Sequence, residues 1–189
     1  MSPTIEKRKV VLLTPDRWPA LVDLFGDGGP CSRCWCMYWR IGAEYRKRSA
    51  VENQSAFHKI VEQGPPPGLI AFQGDLAVGW CQLTRHEDLP WLKNNSRFRA
   101  PDGSQVWSIS CFYIRKGHRR HGVTAALIEA AIKRAKTAGA QRLEAYPLDA
   151  ERTPSASGTG YASTFARLGF VEIARPTPPR PIMRYELAK

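Results

Sequence analysis

A basic cluster just before a helix is the part of this sequence best suited to hold a ligand. A strand-like run ends at Ile114, and the basic residues from Arg115 to His121 lead into a helical pattern that starts after Gly122. A strand-to-helix junction directs successive backbone N–H groups and the positive end of the helix dipole toward one spot. The pattern predicts a cradle for an anionic group, although an ordinary basic helix start would look the same. The predicted cradle comprises Arg119, Arg120, His121, Gly122, Val123 and Thr124.

A second unusual segment, CSRCWCMYWR over residues 31–40, combines thiols with aromatic rings. The pair Cys31 and Cys34 has the Cys-x-x-Cys spacing of zinc sites, but zinc needs four ligands and no second pair follows. We therefore expect no metal site. The simpler interpretation is that the thiols, including Cys36, pack among aromatic side chains.

Composition favours a folded chain of one domain. The chain has 189 residues, of which 43% are hydrophobic and 24% charged, and this length suits one domain better than two. Residues 1–9 have basic side chains with no apolar signal region behind them, and no apolar run approaches the roughly 20 residues needed to span a bilayer. A cytoplasmic location is expected. The five cysteines are an odd number and suggest reduced thiols rather than a disulfide framework.

The elements that would position the anion cradle follow from periodicity and turn signals. Together they predict a single α/β domain with a mixed, mostly antiparallel twisted sheet of six or seven strands flanked by helices, and a strand, helix, strand crossover around the cradle. Strands are expected at 9–13, 68–72, 76–83, 106–114, 142–146, 170–174 and 182–187, and helices at 14–25, 44–63, 122–138 and 163–168.

The order of these motifs resembles the GNAT superfamily of acetyltransferases. That family has an acetyl-CoA motif Q/R-x-x-G-x-G/A, matched here from Arg119 to Thr124, and a later helix that commonly ends in Leu-Gly-Phe, matched at 168–170. The resemblance covers about residues 69–173, and Thr124 departs from the usual Gly or Ala. It implies that residues 1–66 border the acceptor site, 67–174 form the acetyl-CoA core and 175–189 supply the last strand.

The resemblance also implies how acetyl-CoA, the cosubstrate, would bind. The amides from Arg120 to Thr124 would hold the pyrophosphate. The backbone of Phe112 and Ile114, on either side of Tyr113, would pair with the pantetheine arm where the two central strands splay apart.

Amine acetylation needs a base for the amine, a donor to the oxyanion and an acid for the departing thiolate. Glu144 is the predicted general base, because Leu143-Glu144-Ala145 looks like the Leu-Glu-Val of some GNAT protein N-terminal acetyltransferases. The alternative is a strand carboxylate that faces solvent or pairs with Arg142 or Arg167.

The acid is harder to assign, because Phe165 stands where the family usually has tyrosine. Tyr161, one helical turn earlier, is preferred slightly over Tyr146 on the strand beside Glu144. Because a thiolate is a fair leaving group, water is an alternative to either tyrosine. A covalent acetyl-cysteine route through Cys111 is conceivable, but direct transfer is favoured.

The cysteine-rich segment 31–40 resembles a Cys-Trp-Cys-Met-x-Trp-Arg stretch in a subgroup of bacterial GNAT proteins. The resemblance places Trp35, Tyr38 and Trp39 in the wall of an acceptor pocket, and Tyr146 is grouped with them. Trp80 and Trp107 are expected in the core.

The resulting hypothesis is an acetyl-CoA-dependent N-acetyltransferase that acts on a primary amine of a small molecule, with no nucleic-acid or membrane partner. The net charge of +11 disfavours a polycationic acceptor. The alternatives are a protein or peptide N-terminal acetyltransferase, a non-catalytic CoA-sensing domain and a nucleic-acid binder. The sequence leaves a homodimer open.

Overall fold

The computed structural model describes residues 8–27, 33–98, 106–149 and 158–187. Within these ranges the chain forms a seven-stranded sheet in the order β1-β2-β3-β4-β5-β7-β6. β4 and β5 pair in parallel, and the other neighbours pair antiparallel. The predicted mixed sheet is confirmed. The strands are Lys9–Leu12 (β1), Gly68–Gln73 (β2), Leu76–Arg85 (β3), Val106–Ile114 (β4), Arg142–Ala145 (β5), Val171–Thr177 (β6) and Arg180–Glu186 (β7).

Helices cover both faces of the sheet. They are Trp18–Phe25 (α1), Tyr38–Ile41 (α2), Ala50–Gln63 (α3), Pro90–Asn94 (α4), Val123–Thr137 (α5) and Ala162–Arg167 (α6). Helix α5 connects the parallel strands β4 and β5, as the sequence predicts. In the described ranges, no helix is long and apolar enough to cross a bilayer.

The core has two main layers, one on each face of the sheet. Helix α5 contributes side chains four residues apart, Val123, Leu127, Ala131 and Ala135, which pack on one face. Such spacing lies along one side of a helix. The opposite face is covered by α1, α3 and residues 34–37, whose apolar side chains pack against Ile70 and Trp80. Trp80 is fully buried and Trp107 packs against the α5 layer, as the sequence predicts.

The predicted helix over 44–63 is wrong in its first part. Residues Gly42–Lys47 form a 3-10 helix, and α3 begins only after Ser49. The Ser49 hydroxyl accepts from the Glu52 amide at 3.2 Å, and the Glu52 carboxylate accepts from the Ser49 amide at 2.7 Å. This reciprocal capping box satisfies the first amides of a new helix and starts it there.

Helix α4 follows β3 where the sequence predicts only a loop. It begins at Pro90, and prolines are favoured at a first helical turn. The centre of its Trp91 ring lies 5.8 Å from that of Trp39, and Trp91 packs against a third cluster of buried apolar side chains that includes Trp39. Five residues are too few to show a helical period in the sequence.

Candidate active site

The parallel strands β4 and β5 separate in the middle of the sheet. Their pairing ends at Ile109 and Ala145, but β4 continues to Ile114. A register shift between Gln82 and Leu83 of β3 leaves Ser110 as a bulge in β4, and bulges are common beside active sites. The second half of β4 therefore has a backbone edge without a strand neighbour among the described residues. An extended ligand can hydrogen bond to such an edge.

The splay and the predicted pantetheine residues coincide, since Phe112, Tyr113 and Ile114 are the last residues of β4. Phe112 is buried in the α5 layer, whereas Tyr113 and Ile114 are half-buried.

The turn between β4 and α5 has the backbone shape of an anion cradle. Gly117, Arg120 and Gly122 all have positive φ, at 89°, 63° and 76°. Alternation of left-handed with other residues turns successive N–H groups toward one side. Gly122 is the N-cap of α5, and no side chain in the described part of the chain caps its amides. The first turn of α5 thus presents free N–H donors together with the helix dipole.

The side chains of the turn leave the cradle accessible. Arg119, Arg120 and His121 are exposed, and Thr124 is half-buried. Arg119 Nε donates to the Ile114 carbonyl at 3.3 Å, and His121 Nδ1 lies 2.7 Å from the Arg119 carbonyl. A Cβ on Gly79 of β3 would lie 2.6 Å from Val123, so only glycine lets the start of α5 approach the sheet this closely. These residues fit a pyrophosphate group at the helix start.

A cavity of about 240 Å³ lies on the face of the sheet opposite α5. It reaches β4 at Cys111, beyond the last residue pair of β4 and β5. Aromatic side chains, thiols and two guanidinium groups line it, and the described lining contains no carboxylate and no histidine. The lining residues are Cys34, Cys36, Tyr38, Trp39, Tyr45, Arg46, Phe98, Cys111, Gly158, Thr159 and Arg180.

Side chains of the cysteine-rich segment point in different directions, some into the cavity and some into the core. The backbone turns sharply here, since Arg33, Trp35 and Cys36 all have positive φ. Tyr38 and Trp39, two of the residues predicted to form the wall of an acceptor pocket, both line the cavity. Trp35 is a correction: its side chain lies in the core, 1% exposed, between Trp18 and Phe25. The left-handed turn points this ring inward rather than into the cavity.

Hydrogen bonds hold two of the thiols that line the cavity, Cys36 and Cys111. Cys36 Sγ accepts from the indole N–H of Trp80 at 3.1 Å. A hydrogen bond with Cys36, together with burial, raises the pKa of Cys111 well above its usual value. A thiol that stays protonated is a poor nucleophile. In the described residues, no group of three or more His, Cys, Asp and Glu side chains could hold a metal ion.

Glu144 is buried in a polar network rather than exposed to the cavity. Its side chain is 0% exposed, and Arg184, 7% exposed, donates to its Oε1 from Nη2 at 2.7 Å and from Nε at 3.1 Å. The two residues face each other across the β5–β7 pair. The ion-pair alternative named Arg142 or Arg167 as the partner, and the observed partner is Arg184.

The network continues through Tyr146, whose hydroxyl donates to Glu144 Oε2 at 3.3 Å. The same hydroxyl lies 3.2 Å from Ser108 Oγ and 3.1 Å from His86 Nδ1. Burial, reinforced by the Glu144 carboxylate, raises the pKa of Tyr146 well above its usual value. Tyr146 is therefore a neutral donor at physiological pH. Its ring packs on Trp39 and Phe98, which line the cavity.

Tyr161 lies at the start of α6, half-buried, where it forms a parallel bridge with Leu148. Among the described residues no hydrogen bond joins it to Glu144. Phe165, one turn later, is fully buried against Phe112 and Phe170. The aromatic side chain that replaces the usual tyrosine is therefore part of the core.

Sequence reasoning missed the residues that close the cavity, among them Arg46, Phe98, Thr159 and Arg180. Arg180 lies between Pro179 and Pro181 in a stretch that reads as a simple bend. No spacing rule connects it with β4, since the two meet only when β7 pairs beside β5.

The family of this chain follows from sequence comparison. The profile of the Acetyltransferase (GNAT) family matches residues 32–170, more than half of the chain, and the chain belongs to that family. It is an acetyltransferase that uses acetyl-CoA, consistent with the phosphate cradle and the splayed strands. No curated protein sequence matches the chain significantly.

Solved structures share the whole fold at low identity. A GCN5-related N-acetyltransferase from Kribbella flavida matches with a TM-score of 0.60 and 19% identity, covering 97% of this chain and 100% of that one. PaiA N-acetyltransferase from Thermoplasma acidophilum, in complex with coenzyme A, matches with a TM-score of 0.55 and 16% identity, covering 95% of this chain and 99% of that one. The putative acetyltransferase yncA from Salmonella typhimurium, with its cofactor acetyl-CoA, matches with a TM-score of 0.56 and 13% identity, covering 96% of this chain and 95% of that one.

Proposed function

We propose that this protein acetylates the primary amine of a small molecule bound in the cavity beside Cys111. The observation that carries the proposal is the position of the cavity. It meets β4 beyond Ile109, where the strand has lost β5 as a neighbour. An acceptor in the cavity would lie beside the same strand edge that pairs with the donor.

The size of the cavity supports a small acceptor. Its volume of about 240 Å³ is below the roughly 300–1,000 Å³ of pockets for drug-sized ligands. The aromatic rings of Tyr38, Trp39 and Phe98 suit an acceptor with a flat or apolar body. A protein or peptide N-terminus is the alternative acceptor.

Acetyl-CoA supplies the thioester carbonyl that the amine attacks. The amides of the α5 start would bind its pyrophosphate, and the edge from Phe112 to Ile114 would hold the pantetheine arm. The protonated Cys111 thiol supports direct attack by the amine over an acetyl-cysteine route.

Glu144 is the proposed acceptor of the amine proton, and its burial restricts how it acts. Because it lies behind Tyr146, the proton would reach it through water or through the Tyr146 hydroxyl. The lining of the cavity supports an indirect route, since the described lining residues include no carboxylate or histidine that could take the proton directly.

Tyr161 is the proposed acid for the thiolate. It follows Gly160, whose position lies against the Phe112 ring of β4, so the tyrosine is close in the chain to the strand that would hold the thioester. Replacement by phenylalanine should lower kcat and leave the KM for acetyl-CoA unchanged. An unchanged kcat would favour water as the proton donor.

Two measurements test the function. Acetyl-CoA at about 100 times its Kd should stabilise the protein by roughly 2.7 kcal/mol, or about 5 to 10 °C in Tm, and an equal concentration of ATP should not. Acetyl transfer should then be measured with a panel of free amines beside peptides of matched N-terminal residue. Acetylation of peptides alone would replace the small-molecule proposal, and a shift without transfer to either class would refute it.

We also place the reaction in the cytoplasm. Cys36, Cys81 and Cys111 are free thiols in the structure, which suits a reducing compartment.

A further inference from the structure

Arg180 is a cation in the proposed acceptor cavity, and it has no acidic partner among the residues that the structure describes. It is half-buried and lines the cavity. Its Nη1 donates to the Tyr146 carbonyl at 3.2 Å and to Thr159 Oγ1 at 3.1 Å. Within the described residues no carboxylate forms an ion pair with it, and no protein acceptor receives a hydrogen bond from its Nε or Nη2.

Three other half-buried or buried arginines on or beside the sheet have acidic partners. Arg115 pairs with Asp23, Arg142 with Glu186 and Arg184 with Glu144. Burial of an unpaired charge is costly, and burial lowers the pKa of Arg180. The cost is reduced when a bound anion supplies the missing charge.

The guanidinium is held in a fixed orientation. Its two Nη1 bonds lock one side of the group, and prolines on either side restrict the backbone of Arg180 to an extended conformation. The edge formed by Nε and Nη2 is left for a ligand. That edge matches the two oxygens of a carboxylate.

Arg46 adds positive charge at the rim of the same cavity. Its guanidinium lies 5.6 Å from the centre of the Tyr45 ring, and its Nε donates to the Tyr45 hydroxyl at 3.4 Å. Arg46, Arg180 and Tyr38 all line this cavity. Burial raises the pKa of Tyr38, and the charges of Arg180 and Arg46 oppose that rise. This part of the cavity repels a second ammonium group and attracts an anion.

We propose that the acceptor is an amine that also carries a carboxylate, as an α-amino acid does, and that Arg180 binds the carboxylate through its Nε and Nη2 edge. This inference rests on the proposed function, because it names the acceptor class for the same cavity. The apolar body of the acceptor lies among Tyr38, Trp39 and Phe98, and its amine points toward β4 at Cys111. A peptide N-terminus, which has an amide in place of the free carboxylate, lacks the group that Arg180 selects.

The test compares matched acceptors and matched variants. Rates of acetylation are measured for aromatic and aliphatic L-amino acids, for their primary amides and for the corresponding amines that lack the carboxyl group, with L-phenylalanine, L-phenylalaninamide and phenethylamine as one set. The variants are R180Q and, as a control of equal charge change at an exposed position of α6, R167Q. Circular dichroism and the Tm shift with acetyl-CoA check that each variant is folded and binds the donor.

Wild-type protein should show higher kcat/KM for the amino acid than for its amide. R180Q should raise the KM for the amino acid about 10- to 100-fold, the range for loss of a charged hydrogen-bond partner. R180Q should leave the KM for the amide and the KM for acetyl-CoA within about threefold of the wild-type values. R167Q should resemble the wild type with every acceptor. R46Q should raise the same KM by a smaller factor, because Arg46 is exposed.

The outcomes separate this inference from the proposed function. If R180Q lowers kcat/KM equally for the amino acid and its amide, or if the wild type has the higher kcat/KM for the amide, the carboxylate inference is overturned. The proposal of amine acetylation is unaffected by either result. If no amine is acetylated, calorimetric titration of CoA-bound protein with N-acetyl-L-phenylalanine and with its amide decides the inference alone. Binding of the acid that R180Q abolishes would support the anion site, and equal binding of acid and amide would reject it.

Discussion

Replacement of Glu144 by glutamine should affect stability and turnover by separate amounts. The carboxylate is 0% exposed and its partner Arg184 is 7% exposed, so the substitution leaves a buried guanidinium without its closest counter-charge. Removal of one partner from a buried ion pair costs about 3–5 kcal/mol. Glutamine still offers an oxygen to Arg184, and Arg184 Nη1 lies 3.9 Å from Glu186. We therefore expect about 3 kcal/mol, or a fall in Tm of roughly 6 to 12 °C.

Urea unfolding measures the loss in the free energy of unfolding. Steady-state rates, measured well below the Tm, give the loss in kcat. If Glu144 takes the amine proton, even indirectly, E144Q should lower kcat at least about tenfold, the low end for acid-base groups. R184M breaks the same ion pair and keeps the carboxylate, so it is the matched control. It should lose similar stability and a smaller part of kcat.

Two results would refute the reasoning. Equal stability of E144Q and wild type would show that the buried pair does not hold β5 and β7 together. Wild-type rates for E144Q across the pH range, or equal loss of rate in E144Q and R184M, would remove the base role and leave Glu144 as a structural residue.

Four further predictions test the local physics. Ser49→Ala removes the cap of α3 and should cost about 1 kcal/mol in urea unfolding; no loss would contradict the capping box. Cys111→Ala should keep kcat within roughly threefold, because a protonated thiol is a poor nucleophile, and an acetylated protein by intact mass would contradict direct transfer. Burial lowers the pKa of His86 below its usual 6.5, so the stability that neutral His86 contributes is complete above pH 6.5 and is lost as pH falls through the folded-state pKa. The wild type should therefore lose more stability than His86→Gln between about pH 7 and about pH 5. Parallel curves of stability against pH for the two proteins would contradict this prediction. Gly122→Ala forces a left-handed alanine, with φ near 76°, and should destabilise the protein by about 1–2 kcal/mol, a loss that thermal unfolding would detect.

The sheet and the donor cradle could be predicted because their signals are local. The β-favouring run of β4 and the alanine-rich stripe of α5 each carry their own period, and the glycines between them mark the turn. The splay is not a local signal, and its prediction came from the family resemblance. The order of the strands was not predicted and is seen only in the structure. The position of the splay, after Ile109, is visible only in the pairing of β4 and β5.

The cavity proposed as the acceptor site could be predicted only in part. The family resemblance placed Tyr38 and Trp39 in an acceptor wall, but it placed Trp35 beside them as well. The left-handed φ angles that turn Trp35 away give no clear sequence signal at non-glycine residues. Arg180 was missed since its partners, Tyr146 and Thr159, are 34 and 21 residues away in sequence. Burial and pairing of Glu144 likewise depend on a residue of β7 that is 40 positions later.

The proposed donor and acceptor sites differ in how they can change through mutation. The donor cradle comes from one continuous unit, β4, the turn and α5, so most substitutions there affect several requirements together. The proposed acceptor cavity is assembled from segments far apart in the chain, around Cys36, Phe98, Cys111, Thr159 and Arg180. Apart from Cys111, these segments lie outside the cradle, so a substitution in one of them should have little effect on donor binding. A protein built in this way can acquire a new acceptor through single substitutions while its use of acetyl-CoA stays the same.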